Sequence, residues 1–418
     1  MKSAGRTIAC FALAWATAQA TGATLMPMGV LTPAPGGTTI SWVSALSADG
    51  TYAVGYSAGP NLAGTATINQ PVIWSQATGL VQLPNPADAG FAARGVVVRP
   101  HAGMIALAGS PTSGTVVMHT YQAPLGNPAG GNWSQTGYGN NATMGALGTQ
   151  FNACRIDTSS GTADSWYIAG ANSTINPSNG LRYGMDGAAT AEYQSFRWAA
   201  GYYVAANAVS GNGYAAGSDR GNGVKKLRAV RLDMPGTGTD DPPITVQTVV
   251  PGGNRITSDA LGISLNGLKL CGYDHDAGGR AKAFSWTVGD AGMTLLGEIA
   301  GDTASQALAI NDAGLVGGFS SQGTTATMKA VLWDTTGIWD ASGQPKLVTD
   351  LLAAAGVDTS AWSSLTRVTS ISDDGFTIAG TGRWAADGTT RGWIAVVPEP
   401  ATLLMLALSG LAVRRRPG

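Results

Sequence analysis

The stretch "SALSADGTYAVGYSAG" (44–59) decides how the chain is read. Small and apolar residues alternate into the polar corner Asp49-Gly50, and a second apolar run leaves that corner and closes at Gly55. Alternation on both sides of an Asp-Gly step predicts a β-hairpin, because glycine accepts the positive φ of a tight turn at no steric cost.

The same pattern returns as "ANAVSGNGYAAGSDR" (206–220), "ALGISLNGLKLCGYD" (260–274), "ALAINDAGLVGGFSS" (307–321) and "VTSISDDGFTIAGTG" (368–382). Looser copies are "RGVVVRPHAGMIALAGS" (94–110) and "ACRIDTSSGTADSWYIAGANS" (153–173), which brings the number to seven. The corner glycines of the good copies are Gly50, Gly213, Gly267, Gly314 and Gly375. The closing glycines, Gly55, Gly109, Gly170, Gly217, Gly272, Gly318 and Gly380, recur every 46 to 62 residues. Glycine at the end of a strand permits close approach of another backbone.

A third apolar run follows six of the hairpins: Val72 to Trp74, Phe196 to Trp198, Ala229 to Leu232, Ala283 to Trp286, Ala330 to Trp333 and Gly392 to Ala395. A fourth often comes next, as in "GLVQL" (79–83), "ITVQTVV" (244–250) and "MTLLGEI" (293–299). Four strands per period predict propeller blades, so the fold class is all-β, a seven-repeat β-propeller over 21–397. The tryptophans lie in apolar, strand-like runs, which favours packing between blades over a sugar-stacking array.

The last copy passes from its Trp393 strand into Val397-Pro398 without a fourth strand. The segment "ATLMPMGVLTPAPGG" (23–37) precedes the first hairpin and resembles the later "MTLLGEIAGDTAS" (293–305). The mature N-terminus is therefore expected to complete the final blade and close the ring, which removes exposed strand edges. One insertion, "LVTDLLAAAGVDTSAWSSL" (347–365), carries Leu347, Leu351, Leu352 and Ala355 at helical spacing and predicts a short helix ending at Gly356.

Composition agrees with a strand-rich chain. Of 418 residues 60 are Gly, only 12% are charged, and Glu occurs at 192, 298 and 399 alone. Without the two termini, 19 basic and 24 acidic side chains remain, a net of −5, so there is no basic footprint for nucleic acid. Cys154 and Cys271 fall in non-neighbouring repeats and read as two buried thiols rather than a bridge. His101, His119 and His275 share no ligand spacing, so neither a metal nor a cofactor is expected.

The two ends carry a different signal. Lys2 and Arg6 precede an apolar stretch from Ile8 to Ala18, and Ala18-Gln19-Ala20 has the small-x-small form of a secretory cleavage site after Ala20. At the other end, Pro398-Glu399-Pro400 leads into an apolar run from Ala401 to Val413, followed by Arg414, Arg415 and Arg416. As a helix that run is short for a permanent span, and the arginines after it are expected to stay on the cytoplasmic side.

This order of parts resembles the PEP-CTERM sorting signal of Gram-negative bacteria. The resemblance implies processing by exosortase near Pro398-Glu399-Pro400 after transient anchoring in the inner membrane. It also implies release to the cell surface in species that make extracellular polysaccharide. The hairpin with its "AF-x-W" strand and the late "LLAAAGVDTSAW" segment resemble the HAF repeat of bacterial extracellular proteins, over most of 38–397. That family implies a secreted β-rich repeat protein and supplies no catalytic residue.

The corners "SADGTY" and "SDDGFT" lack the spacer between Asp and Gly that an Asp-box of sialidase propellers requires, and hairpin turns account for them. Asp274-His275-Asp276 and Asp373-Asp374 offer oxygens for calcium, but without an EF-hand spacing they read as solvated loops. Three functions stay open: a noncatalytic surface protein that binds exopolysaccharide or another surface component, a polysaccharide hydrolase or lyase with paired carboxylates, and a purely structural coat. The sequence favours the first.

Overall fold

The computed structural model describes residues 22–86, 89–99, 103–112, 119–135, 153–157, 165–171, 180–185, 191–196, 203–212, 214–220, 227–233, 245–248, 258–334, 336, 339 and 344–397. The chain divides into two units, Ala23–Val397 and a second made of Met1–Gly22 with Pro398–Gly418. In the second unit only Gly22 is among the described residues, so Ala18, Ala20, Pro398, Glu399, Pro400, Arg414, Arg415 and Arg416 lie outside them, as does the expected helix over 401–413. No helix among the described residues is long and apolar enough to cross a membrane.

The described strands form seven antiparallel sheets of four strands each. Sheet one runs Ser41–Leu46, Tyr52–Pro60, Thr67–Ser75 and Gly79–Gln82. Sheets two to six repeat this meander, starting at Phe91–Arg99, Ala153–Asp157, Tyr203–Val209, Ser258–Ile263 and Ala304–Ile310. Sheet seven is assembled from both ends of the unit. Trp362–Ile371, Thr377–Trp384 and Thr390–Val396 are contiguous, and Thr24–Pro27 adds the outer strand, from Thr24 opposite Val396 to Pro27 opposite Trp393. The N-terminal segment thus supplies the strand that the last repeat lacks.

Each hairpin named from the sequence is present, and the closing glycines have a common cause. The first strand shifts register at Val43/Ala45, Ala93/Gly95, Ala206/Ala208, Ala260/Gly262, Ala307/Ala309 and Val368/Ser370. The partner at each shift is Gly55, Gly109, Gly217, Gly272, Gly318 or Gly380. A Cβ at Gly55, Gly272, Gly318 or Gly380 would overlap the carbonyl oxygen of Trp42, Asp259, Gln306 or Arg367, respectively. The repeating glycine therefore admits a β-bulge in the strand beside it. In sheet three Ala153 to Asp157 pair in unbroken register, and the residues that would face Gly170 lie outside the described ones.

Two expectations need correction. Phe196 to Trp198 is not the third run of repeat three. Gly180–Met185, with Leu181, Tyr183 and Met185 alternating, takes that place, and Ala191–Phe196 is the fourth strand. The short helix spans Val348–Ala354 and buries Val348 and Leu352, not a face led by Leu347. Leu347 is already committed to the outer strand of sheet six, opposite Val331, so the helix starts one residue later. It ends as expected at Gly356, with φ +78°.

The core lies between sheets. Trp333 packs with Cys271, Ala283 and Ala307 across sheets five and six, and Trp286 packs with Ala208 and Ala216 across sheets four and five. Trp74, Ala379, Ile394 and Met28 join sheets one and seven. Trp333 and Trp393 are among the largest fully buried side chains, which bears out their reading as packing residues. Cys271 is a free thiol, fully buried, and burial pushes its pKa up. Each sheet contacts the next in sequence, and sheet seven contacts sheet one.

Candidate functional site

The most regular polar feature is the row of hairpin corners. In sheet one, Ser47 Oγ donates to Asp49 Oδ1 at 2.5 Å and accepts the Tyr52 N–H at 3.0 Å, while Asp49 Oδ1 accepts the Thr51 N–H at 3.0 Å. Sheet seven repeats this with Ser372, Asp374, Phe376 and Thr377, and sheet five with Ser264, Asn266, Leu268 and Lys269. Corners of neighbouring sheets also join. Asn212 Nδ2 donates to Asn266 O at 2.9 Å, and Asn266 N donates to Asp312 Oδ1 at 2.9 Å. Asn311 Nδ2 then donates to Asp373 O at 3.2 Å, and Asp373 N to Ala48 O at 2.8 Å. These side chains serve turn geometry and the links between turns.

Acidic residues elsewhere are held in the same way. Asp276 Oδ1 accepts the N–H groups of Gly278 and Arg280, and the Arg280 N–H is the main reason its carboxyl sits below the ordinary range. Glu298 pairs with Lys282 at 2.8 Å. Asp302 pairs with Lys329 at 2.8 Å and accepts from Ser320 Oγ at 2.8 Å. A hydrolase of the two-carboxylate type needs one carboxyl free to carry a proton at working pH. Glu298 and Asp302 are instead each engaged by a lysine, and Asp302 by a hydroxyl as well.

Among the described residues no group of three His, Cys, Asp or Glu could hold a metal ion. His101 lies outside the described residues. His119 stands edge-on to Phe91 in sheet two, at 5.3 Å, and His275 edge-on to Tyr273 in sheet five, at 5.2 Å, so the structure does not bring these two together.

The feature that sequence reading passed over lies at the bulges. Trp42, Asp259, Gln306 and Arg367 occupy one register position, each just before the residue opposite a closing glycine. Where sheets six, seven and one meet, Arg367 and Trp42 of that column and Phe319, the cross-strand partner of Gln306, come together. The Arg367 guanidinium lies 5.0 Å from the Trp42 ring centroid and 5.7 Å from that of Phe319. Trp42 stacks on its cross-strand partner Tyr56 with centroids 6.2 Å apart and planes 4° from parallel. Arg94, the bulged residue of sheet two, comes within electrostatic reach of Tyr56.

Trp42, Tyr56, Arg94 and Arg367 are all half-buried. Burial raises the Tyr56 pKa, against which Arg94 and Arg367 act. Burial also pushes both guanidinium pKa values down, and Tyr56 opposes that shift. In sheet five the same column is already satisfied, because Asn207 Nδ2 donates to Asp259 Oδ1 at 2.6 Å. Aligning the repeats on the closing glycine would have placed Trp42 and Arg367 in one column; the contact between them needs the first and last sheets to meet.

No family model and no curated protein matches this chain. Among solved structures it is similar to the β-propeller domain of the Trilobed protease from Pyrococcus furiosus, with 9% identity and a TM-score of 0.49 over 85% of this chain and 93% of that one. It is also similar to an acylaminoacyl peptidase of Pyrococcus horikoshii, at 8% identity and a TM-score of 0.49, and covers 54% of that chain. The chain thus spans about half the length of that peptidase. A third likeness is to the polysaccharide lyase Uly1, at 9% identity and a TM-score of 0.47 over 90% of this chain and 97% of that one. At these identities the peptidase and lyase activities stay with those proteins.

Proposed function

We propose that the seven sheets form a closed seven-bladed propeller, exported by the signal peptide and sorted to the cell surface by exosortase, and that it binds extracellular polysaccharide without cleaving it. Closure is supported by the pairing of Thr24–Pro27 with Thr390–Val396 and by the contacts between sheets seven and one. Thr369 Oγ1 donates to Val43 O at 3.0 Å across that junction, and Leu46 N to Ser370 Oγ at 3.0 Å. Sorting rests on the Pro398-Glu399-Pro400 motif, the apolar run and the three arginines.

One observation carries the binding reading: the half-buried Trp42, Tyr56 and Arg367 cluster, which combines aromatic faces with a donor fork on rigid strands. Aromatic faces stack on sugar rings and fixed donors orient hydroxyls or carboxylates, which suits recognition on a scaffold that need not move. Among the described residues the cluster holds no carboxylate pair and no nucleophile beside a base, the two arrangements that glycoside hydrolysis or acyl transfer would need.

The test uses the protein recovered from the surface of the producing cell. Its peptides should lack residues 401–418, it should cosediment with that strain's polysaccharide, and the polymer should keep its length. Shortening of the polymer, or new unsaturated chain ends seen by ultraviolet absorbance, would overturn the noncatalytic reading. Recovery of the intact tail would overturn the sorting reading.

A further inference from the structure

Arg367 has an unusual set of partners for a half-buried cation. Its Nη2 contacts Met328 Sδ at 3.2 Å, and its faces lie against Trp42 and Phe319. The Nε atom is buried and has no hydrogen-bond partner. Among the described residues Lys282, Lys329 and Arg391 each reach a carboxylate, whereas Arg367 reaches none. A thioether is a weak acceptor, and the buried Nε–H has no acceptor at all.

Burial of a charge without a counter-charge or a full set of hydrogen bonds is costly, and a chain of net negative charge has carboxylates enough to avoid it. Cation–π contact with two rings offsets part of that cost and fixes the plane of the fork. A fork held in this way is preorganised for a planar, bidentate anion, and the carboxylate is the match for its spacing. Tyr56, stacked on Trp42, extends the aromatic surface next to it, and Arg94 adds a second positive charge within reach of Tyr56.

We infer that Arg367, with Trp42 and Tyr56, forms a subsite for a uronic acid residue of an acidic polysaccharide, with the sugar carboxylate on the guanidinium and the ring against the aromatic pair. This rests on the polysaccharide-binding reading above and adds the class of sugar to it.

Titration of the full chain with polygalacturonate, with the same polymer after reduction of its carboxyl groups, and with the producing strain's own polysaccharide tests the inference. The acidic polymer should bind about tenfold or more tightly than its reduced form, because charge-assisted bonds to a bidentate fork are lost on reduction. Arg367→Met should erase that preference, and Arg367→Lys should keep only part of it, since an ammonium retains the charge but not the fork. A melting curve for each variant shows that the fold is kept, and the lysine variant stands in if the methionine variant does not fold.

Equal affinity for the acidic and reduced polymers, or an undiminished preference in both variants, would overturn the subsite while leaving polysaccharide binding in place. Displacement by inorganic phosphate as readily as by free galacturonate would also overturn it, because the site would then read charge without sugar. Failure of every polymer to bind, the strain's own included, would defeat the underlying reading as well.

Discussion

The hairpin corners and the Arg367 cluster are both built on the first two strands of the repeats, yet they are opposite in character. At the corners every side-chain oxygen that bends the turn has a donor, and turn links to turn from sheet four through sheet seven to sheet one. At the cluster a guanidinium is held by rings and a thioether, and one of its nitrogens has no partner. The difference teaches that the regular motif is scaffold. The position where the repeats depart from one another, Trp42 in one, Asp259 in another and Arg367 in a third, is where a ligand could be read.

Both regions cross the junction between sheets seven and one, through the Asp373 N to Ala48 O bond and the Arg367 contact with Trp42. Deletion of residues 24–28 attacks that junction, because it uncovers the Thr390–Val396 edge and removes the fully buried Met28. The melting temperature should fall by about 10 °C or more, with self-association through the bare edge. An unchanged melting curve would mean that corners and cluster do not depend on closure.

A smaller effect tests the bulge that carries the cluster. A Cβ at Gly380 would overlap Arg367 O and press on the Trp393 ring, so Gly380→Ala should cost about 3 kcal/mol or more in denaturant unfolding. The control is Gly388→Ala, at φ +67° in open space, which should cost about 1 kcal/mol. Equal losses would show that the close approach at Gly380 costs no more than a positive φ in open space.

The smallest effects separate the two regions directly. Ser372→Ala removes the acceptor for Thr377 N and the donor to Asp374, and should lower stability by about 1 to 2 kcal/mol with glycan affinity intact. Arg367→Met should do the reverse: stability within about 1 kcal/mol of the parent, since no ion pair is lost, and weaker binding. A stability loss at Arg367 larger than that at Ser372 would make the arginine scaffold and collapse the contrast.

Much of the fold was legible along the chain because its causes are local. An Asp-Gly or Asn-Gly corner between alternating runs specifies a hairpin through the positive φ of glycine and the reach of a serine or aspartate side chain to nearby amides. The third and fourth strands were harder, because short apolar runs look alike. In repeat three the run ending at Trp198 resembles the third strands of other repeats, but the third strand is the one that carries the Leu181, Tyr183, Met185 alternation.

The candidate site was not legible, although its register was. Nothing in "TTISWVSAL" (38–46) tells that Trp42 will face an arginine more than 300 positions later. The sequence by itself determined seven hairpin repeats, an N-terminal segment able to serve as a missing strand, and corner residues spent on turns. Each follows from backbone sterics and hydrogen bonds within a few residues. Only the tertiary structure decided that the closing glycines face bulges, that Glu298 and Asp302 pair with lysines, and that Arg367 lies between Phe319 and Trp42. Those outcomes depend on which sheet packs on which, and that is set by the summed burial of whole sheets, a quantity no single stretch of chain carries.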